Sequence, residues 1–184
     1  MKKPASWPRI LCCLALAFFL AGYNISIAAK ETLLEQGTVM LLELRPVDPL
    51  SLLQGFYMAL DYEAEREIVR EMKELFRDEE FQERRERHLA VMRDTGDRVY
   101  EFSRLYSEGE ALAPGEHLLA FKIVHGGFDR VSIGAGSYFF EEGYEELYSR
   151  ASYAEFRVDE KGNSVLAQLR DDDLRVIARP EKSD

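Results

Sequence analysis

The chain has no cysteine after residue 30. Both of its cysteines, Cys12 and Cys13, lie in an apolar run near the N-terminus, so no disulfide can stabilise the remainder of the protein. A Cys–His catalytic pair is excluded there for the same reason. The three histidines, His88, His117 and His125, form no metal-binding spacing such as His-Glu-x-x-His. We therefore predict no catalytic residue, metal or cofactor from these residue types.

Positive charge is also scarce beyond the N-terminus. Four of the 24 lysines and arginines precede residue 31, whereas all 34 acidic residues lie at residue 31 or after it. Residues 31–184 therefore carry a net charge of about −14, and no basic stripe interrupts their acidity. Such a surface repels nucleic-acid backbones and anionic lipid headgroups. We expect no binding to nucleic acid.

Phosphate-binding glycine motifs are absent as well. Gly134 and Gly136 lack the third glycine of a dinucleotide-binding loop, and no Gly-Lys-Ser/Thr occurs, so we predict a bulge or a close-packing role for this pair. Adjacent carboxylates, as in Glu141-Glu142, are expected by chance in so acidic a chain and do not indicate glycosidase chemistry.

The N-terminus contains an apolar run, Ile10–Ala29, that follows basic residues and has the length of a membrane-spanning helix. Only Ile10–Gly22 is strongly apolar, which is also the length of a signal-peptide core, and Ser26-Ile27-Ala28 is a tolerable cleavage site. We interpret residues 1–30 as a membrane anchor, with a cleaved signal peptide as the alternative. Either interpretation exports residues 31–184.

Residues 31–184 predict one α+β domain, whose sheet is mainly antiparallel and is preceded by the membrane helix. Its predicted strands are rich in β-branched and aromatic residues or alternate with period two. A short helix is expected around residues 144–150. The predicted strands are Thr38–Pro46, Phe56–Tyr62, Asp97–Tyr106, His117–His125, Tyr153–Val158 and Ser164–Leu169.

Residues 63–94 differ from the strands because they are densely charged and contain no glycine or proline. Their composition predicts one or two helices inserted between strands. One narrow apolar stripe runs through Ile68, Met72 and Phe76, and a second includes Leu89 and Met92. We expect a solvated insertion that the sheet can fold without. The functional alternative is a partner-docking helix that uses Ile68, Met72 and Phe76.

The segment LLELRPVDPLSLLQGFYMALDY, residues 41–62, resembles the GDYXXLXY family. These are bacterial membrane-anchored proteins of unassigned biochemical role, named for the motif Gly-Asp-Tyr-x-x-Leu-x-Tyr. Gly55, Tyr57, Leu60 and Tyr62 match the motif, whereas Phe56 replaces its aspartate. Two later segments also resemble the family, and the resemblance spans most of residues 24–175. These segments are Tyr138–Gly143 and Ala151–Leu174.

The replacement at Phe56 bears on what the motif does. If the family used the aspartate for chemistry, this chain could not perform it. We favour a structural role, in which the aspartate closes a turn by accepting backbone hydrogen bonds. Phe56 instead extends an apolar strand face that includes Met58, Leu60 and Tyr62 at period two.

The resemblance implies a non-catalytic domain in the bacterial cytoplasmic membrane, with a single membrane helix and its C-terminal domain outside the cytoplasm. Genes of multi-pass membrane proteins often neighbour those of the family, which suggests an accessory or interaction subunit of such a protein. The alternative is a small-ligand-binding module. Four tyrosines of the kind that line pockets support that alternative. They are Tyr57, Tyr62, Tyr138 and Tyr144.

A hydrolase is the least favoured interpretation. VDPLSLLQGFYMAL is loosely similar to a region of type I signal peptidases, in which a serine nucleophile immediately precedes this run. Pro46 occupies that position here and offers no nucleophile. Ser51 with Lys122 as its base is conceivable, but no sequence feature brings the two together.

Overall fold

A computed structural model describes residues 7–45, 57–75, 88–124 and 130–178 of the 184-residue chain. Within these ranges a long N-terminal helix leads into a domain of short strands and two further helices. The elements in chain order are α1 Trp7–Gln36, β1 Thr38–Glu43, β2 Tyr57–Ala59, α2 Glu63–Leu75, β3 His88–Gly96, β4 Val99–Leu105, β5 Glu116–Ile123, β6 Val131–Ser132, β7 Ser137–Phe139, α3 Glu145–Tyr148, β8 Tyr153–Val158 and β9 Ser164–Arg170.

Seven of these strands form one sheet in the order β6-β5-β3-β4-β1-β8-β9. Its pairs are antiparallel except for β1 with β4, which are parallel. Strands β2 and β7 pair separately as a two-stranded antiparallel ribbon. This arrangement confirms the predicted α+β class and the mainly antiparallel sheet.

The sheet curls until the turn between β8 and β9 reaches β5. The Gly162 carbonyl in that turn accepts a hydrogen bond of 2.9 Å from the Ala120 amide. Gly162 has a φ of +76°, and a β-carbon there would come within 3.1 Å of the Ala120 nitrogen. Only glycine therefore fits both the turn and the close approach. The contact brings the two ends of the sheet together around one apolar core.

Most of the predicted strands and the short helix are confirmed, usually with slightly shorter bounds. The alternating pattern of β5 buries Leu119 and Phe121, and that of β8 buries Ala154, Phe156 and Val158. The predicted final hairpin is present with its strands in antiparallel register from Tyr153 to Val158. Period-two alternation of apolar residues was a sufficient signal here because the apolar face of each strand packs on the core. Glu155, on the other face of β8, is also buried.

The helix predicted from residue 63 is present over Glu63–Leu75, but its extension to residue 94 is wrong. His88–Gly96 is a strand that pairs with both β4 and β5. Its buried residues Ala90, Val91 and Met92 are consecutive. A strand that is buried on both faces shows no alternation of apolar and polar residues. The charged residues that flank this strand therefore remained the main signal, and they are typical of a helix.

Helix α2 belongs to the core, which corrects the prediction of a solvated insertion. Ile68 and Met72 are 0% exposed, and the helix contacts β1, β4 and β6. Ile68 and Met72 are therefore not free to dock a partner. Phe76, the third predicted docking residue, lies outside the described residues.

Candidate functional site

A cleft of about 900 Å³ separates the C-terminal turns of α1 from the curled sheet. Lys30 and Leu33 line it from α1, and Lys122 lines it from β5. The loop after β6 forms another wall, and the turn between β8 and β9 closes the fourth side. The cleft therefore lies where the domain meets its N-terminal helix.

Residues 132–134 form this wall, and residues of the β2–α2 segment hold the two residues that follow it. The Tyr62 hydroxyl donates a 2.7 Å hydrogen bond to the Ala135 carbonyl. The Leu60 amide donates to the Gly136 carbonyl at 3.0 Å. Both donors belong to the sequence motif, so two of the three motif residues that the structure describes hold the backbone next to the cleft wall.

Close packing at Gly134 completes this support. A β-carbon at position 134 would lie 2.7 Å from Cε1 of Phe156, which is 0% exposed. The Phe156 ring in turn lies against the Tyr62 ring, with 5.6 Å between centroids. Gly134 thus has the close-packing role predicted for it, whereas Gly136 has open space at its α-carbon.

Glu65, in the first turn of α2, also contacts the wall and accepts a 2.9 Å hydrogen bond from the Ile133 amide. Burial raises the pKa of Glu65 to about 7, and the negative charge of Asp61 adds to this effect. The Ile133 hydrogen bond and Arg130 oppose it. Glu65 therefore titrates near neutral pH. Burial, and then the charge of Glu65, raise the pKa of Tyr62, which stays protonated as a donor.

Charged side chains of both signs line the cleft. Among the described residues, neither Lys30 nor Lys122 forms a salt bridge. Asp159 is engaged within its own turn, where it accepts hydrogen bonds from the Lys161 amide at 2.9 Å and from Asn163. Glu160 is exposed at the same turn.

The residues of the sequence motif lie in different parts of the fold. Gly55 and Phe56 lie outside the described residues. Leu60 and Tyr62 are buried in the core. Tyr57 lies on the β2–β7 ribbon, with its ring centroid 6.0 Å from that of Phe139.

The tyrosines predicted to line a ligand pocket do not converge. Tyr62 is 0% exposed in the core, and Tyr138 packs on Tyr148 with 5.2 Å between centroids. Tyr57 is on the ribbon, and Tyr144 precedes α3 and packs against the core. None of the four lines the cleft, so this cleft does not support the tyrosine-based hypothesis, and a ligand site at these tyrosines stays a prediction.

The other candidate catalytic or metal-binding residues also lie apart. The His88 ring stacks on Phe121 at 5.4 Å between centroids, and the His117 ring meets Tyr100 edge-on at 5.5 Å. Lys122 lines the cleft, while Ser51 and His125 lie outside the described residues. Within the described ranges, no group of three or more His, Cys, Asp or Glu is arranged to hold a metal ion.

Sequence analysis missed Glu65 and the wall that it holds. The available signal was an acidic residue in the first turn of a helix, three positions after the last motif tyrosine. Acidic residues are common in that turn because they offset the helix dipole. The contact with Ile133, 68 residues away, had no sequence signal.

Residues Leu14–Gln36 of α1 are long and apolar enough to cross a membrane. Their apolar side chains are exposed, as Phe18 (84%) and Phe19 (69%) illustrate. A family model described as "GDYXXLXY protein" matches residues 19–169, which is most of the chain. No curated protein and no solved structure matches it.

Proposed function

The chain belongs to the GDYXXLXY family, and on that premise we propose that it is a non-catalytic, membrane-anchored accessory subunit of a multi-pass membrane protein. Its domain works outside the cytoplasm of a bacterial cell, on the outer side of the cytoplasmic membrane. The basic residues before the apolar run support this orientation, since such residues stay on the cytoplasmic side.

The direct junction between α1 and β1 is the observation that carries this proposal. Gly37 alone separates Gln36, the last residue of α1, from Thr38, the first of β1. Its amide donates to the Leu33 carbonyl at 2.9 Å, and a β-carbon there would come within 3.1 Å of Arg157 Cβ on β8. A junction with no flexible linker supports a domain held at fixed height and orientation beside a partner in the same membrane.

The exposed apolar surface of α1 supports the same proposal. Helices associate in a membrane through packing with one another, so α1 offers a surface for a partner's transmembrane helices. A small-ligand-binding module remains the second candidate. The cleft supports it, although none of the four tyrosines lines the cleft.

Co-purification tests the proposal. Tagged full-length protein, extracted from membranes in mild detergent, should retain a multi-pass membrane protein identified by mass spectrometry. Insertion of Gly-Ser-Gly-Ser after Gln36 should strongly reduce this retention because it uncouples the domain from α1. The same insertion after Glu108, in an exposed loop, should leave it unchanged.

Two outcomes would overturn the proposal. One is a set of retained proteins that contains no multi-pass membrane protein. The other is a mature N-terminus at Ala29, which would show a cleaved signal peptide and remove the anchor. Alkaline phosphatase fused after Asp184 should be active, and an inactive fusion would contradict export.

A further inference from the structure

The cleft lies at the depth of lipid headgroups if α1 spans a membrane. Lys30 is the first charged residue after the apolar run Ile10–Ala29, and lysines at the ends of membrane helices extend into the headgroup region. Lys30 also lines the cleft. A lipid of the outer leaflet therefore has direct access to it.

The charges of the cleft match a headgroup that carries both signs. Lys30 and Lys122 offer ammonium groups without salt bridges to described residues, which suit a phosphate. Glu160 offers an exposed carboxylate on the β8–β9 turn, which suits a primary ammonium group. A purely anionic headgroup would face this carboxylate and the acidic surface of residues 31–184.

The cleft also contains apolar surface beside its charges. Ala29 and Leu33 line it from α1, and Val165 lines it from β9. The exposed apolar side chains of α1 continue from there toward the N-terminus. Acyl chains can follow this surface into the bilayer while the headgroup stays in the cleft.

From this arrangement we propose that the cleft binds the zwitterionic headgroup of an aminophospholipid, with its phosphate at Lys30 and Lys122 and its ammonium group at Glu160. The lipid would fill the space between the anchor helix and the domain. This inference rests on the proposed membrane anchor and export but not on a protein partner, so failure to co-purify one would not affect it.

Native mass spectrometry of the full-length, delipidated protein tests the proposal with phosphatidylethanolamine, phosphatidylcholine and phosphatidylglycerol added separately. Phosphatidylethanolamine should bind best, because its ammonium group donates hydrogen bonds that choline cannot. Lys122→Gln and Glu160→Gln should each weaken its binding about tenfold, the loss typical of one charged hydrogen bond. The matched controls Arg66→Gln and Glu74→Gln, on the exposed face of α2, should bind it normally.

Three results would overturn the inference. The first is equal binding of the three lipids, or a preference for phosphatidylglycerol. The second is unchanged phosphatidylethanolamine binding by both cleft variants. The third is equally tight binding of soluble glycerophosphoethanolamine, because the cleft would then recognise a free small molecule and not a membrane lipid.

Discussion

Tyr62 links the family motif to the cleft through a single hydroxyl group. Its ring is part of the core, while its oxygen reaches the Ala135 carbonyl next to the cleft wall. Tyr62→Phe keeps the ring but leaves that carbonyl unpaired. We expect the free energy of unfolding to fall by about 1–2 kcal/mol, measured by denaturant titration in detergent micelles. Tyr57→Phe, on the ribbon, is the control and should change it by less than about 0.5 kcal/mol.

Gly134 and Gly136 form a second matched pair at the residue scale. Gly134→Ala places a methyl group against the Phe156 ring, so the wall must move toward the cleft or the core must loosen. We expect a loss of about 1–3 kcal/mol, as for overpacked cores. Gly136→Ala has open space around it and should be nearly neutral. Equal unfolding midpoints for the two variants would contradict the packing role of Gly134.

Glu65 makes the stability of the folded protein sensitive to pH. Its pKa in the folded protein, about 7, lies above the ordinary value of 4.5, so protonation favours the folded state. This contribution is complete below pH 4.5 and is lost as the pH rises through 7. Glu65→Gln is always neutral and can still accept the Ile133 hydrogen bond.

Between pH 5 and pH 8 we therefore expect the free energy of unfolding of Glu65→Gln to fall by about 1–2 kcal/mol less than that of the original protein. The partial exposure of the carboxyl moderates this difference. Glu74→Gln, on the exposed face of α2, is the control and should keep the original pH dependence. If all three proteins showed the same dependence, Glu65 would not be the titrating group.

At the scale of elements, helix α2 is the clearest test of what the core requires. Met72→Ala should destabilise the protein by about 2–5 kcal/mol because Met72 is completely buried. Leu75→Ala, three residues later and 59% exposed, should cost less than about 0.5 kcal/mol. Similar midpoints of thermal unfolding for the two variants would indicate instead that α2 is a separable insertion.

Sequence patterns predicted the strands whose apolar residues alternate or form a short run that ends at a turn signal. Apolar residues alternate in β5 and β8, and β1 was predicted from its apolar run although it is buried on both faces; α2 has a buried stripe at helical spacing. Strand β3 was missed because its buried run of Ala90, Val91 and Met92 directly follows a long charged segment whose composition favours a helix. Burial on both faces depends on which strands lie beside it, and periodicity does not contain that information.

The candidate site was predictable only in part. The sequence predicted that Leu60 and Tyr62 share an apolar strand face, and it predicted close packing at Gly134. The wall itself depends on contacts such as Tyr62 with Ala135, which are 73 residues apart. Such distant pairing follows from the curl of the sheet, so Lys30 and Lys122 could not be assigned to one cleft from sequence.

At the scale of the whole molecule, the proposed function depends on the junction between α1 and the sheet. The two are joined without a linker, so in the proposed function the membrane fixes where the domain works and which proteins it contacts. The apolar surface of α1 lies on one side of this junction, and the acidic domain with its cleft lies on the other.

Site-specific photo-crosslinking in intact cells tests the proposed function most directly. A photoreactive amino acid replaces Phe18, exposed on α1, or Glu74, exposed on α2. The proposed function predicts that position 18 crosslinks to a multi-pass membrane protein. Crosslinks to a soluble protein from Glu74, with no protein adduct from Phe18, would contradict it.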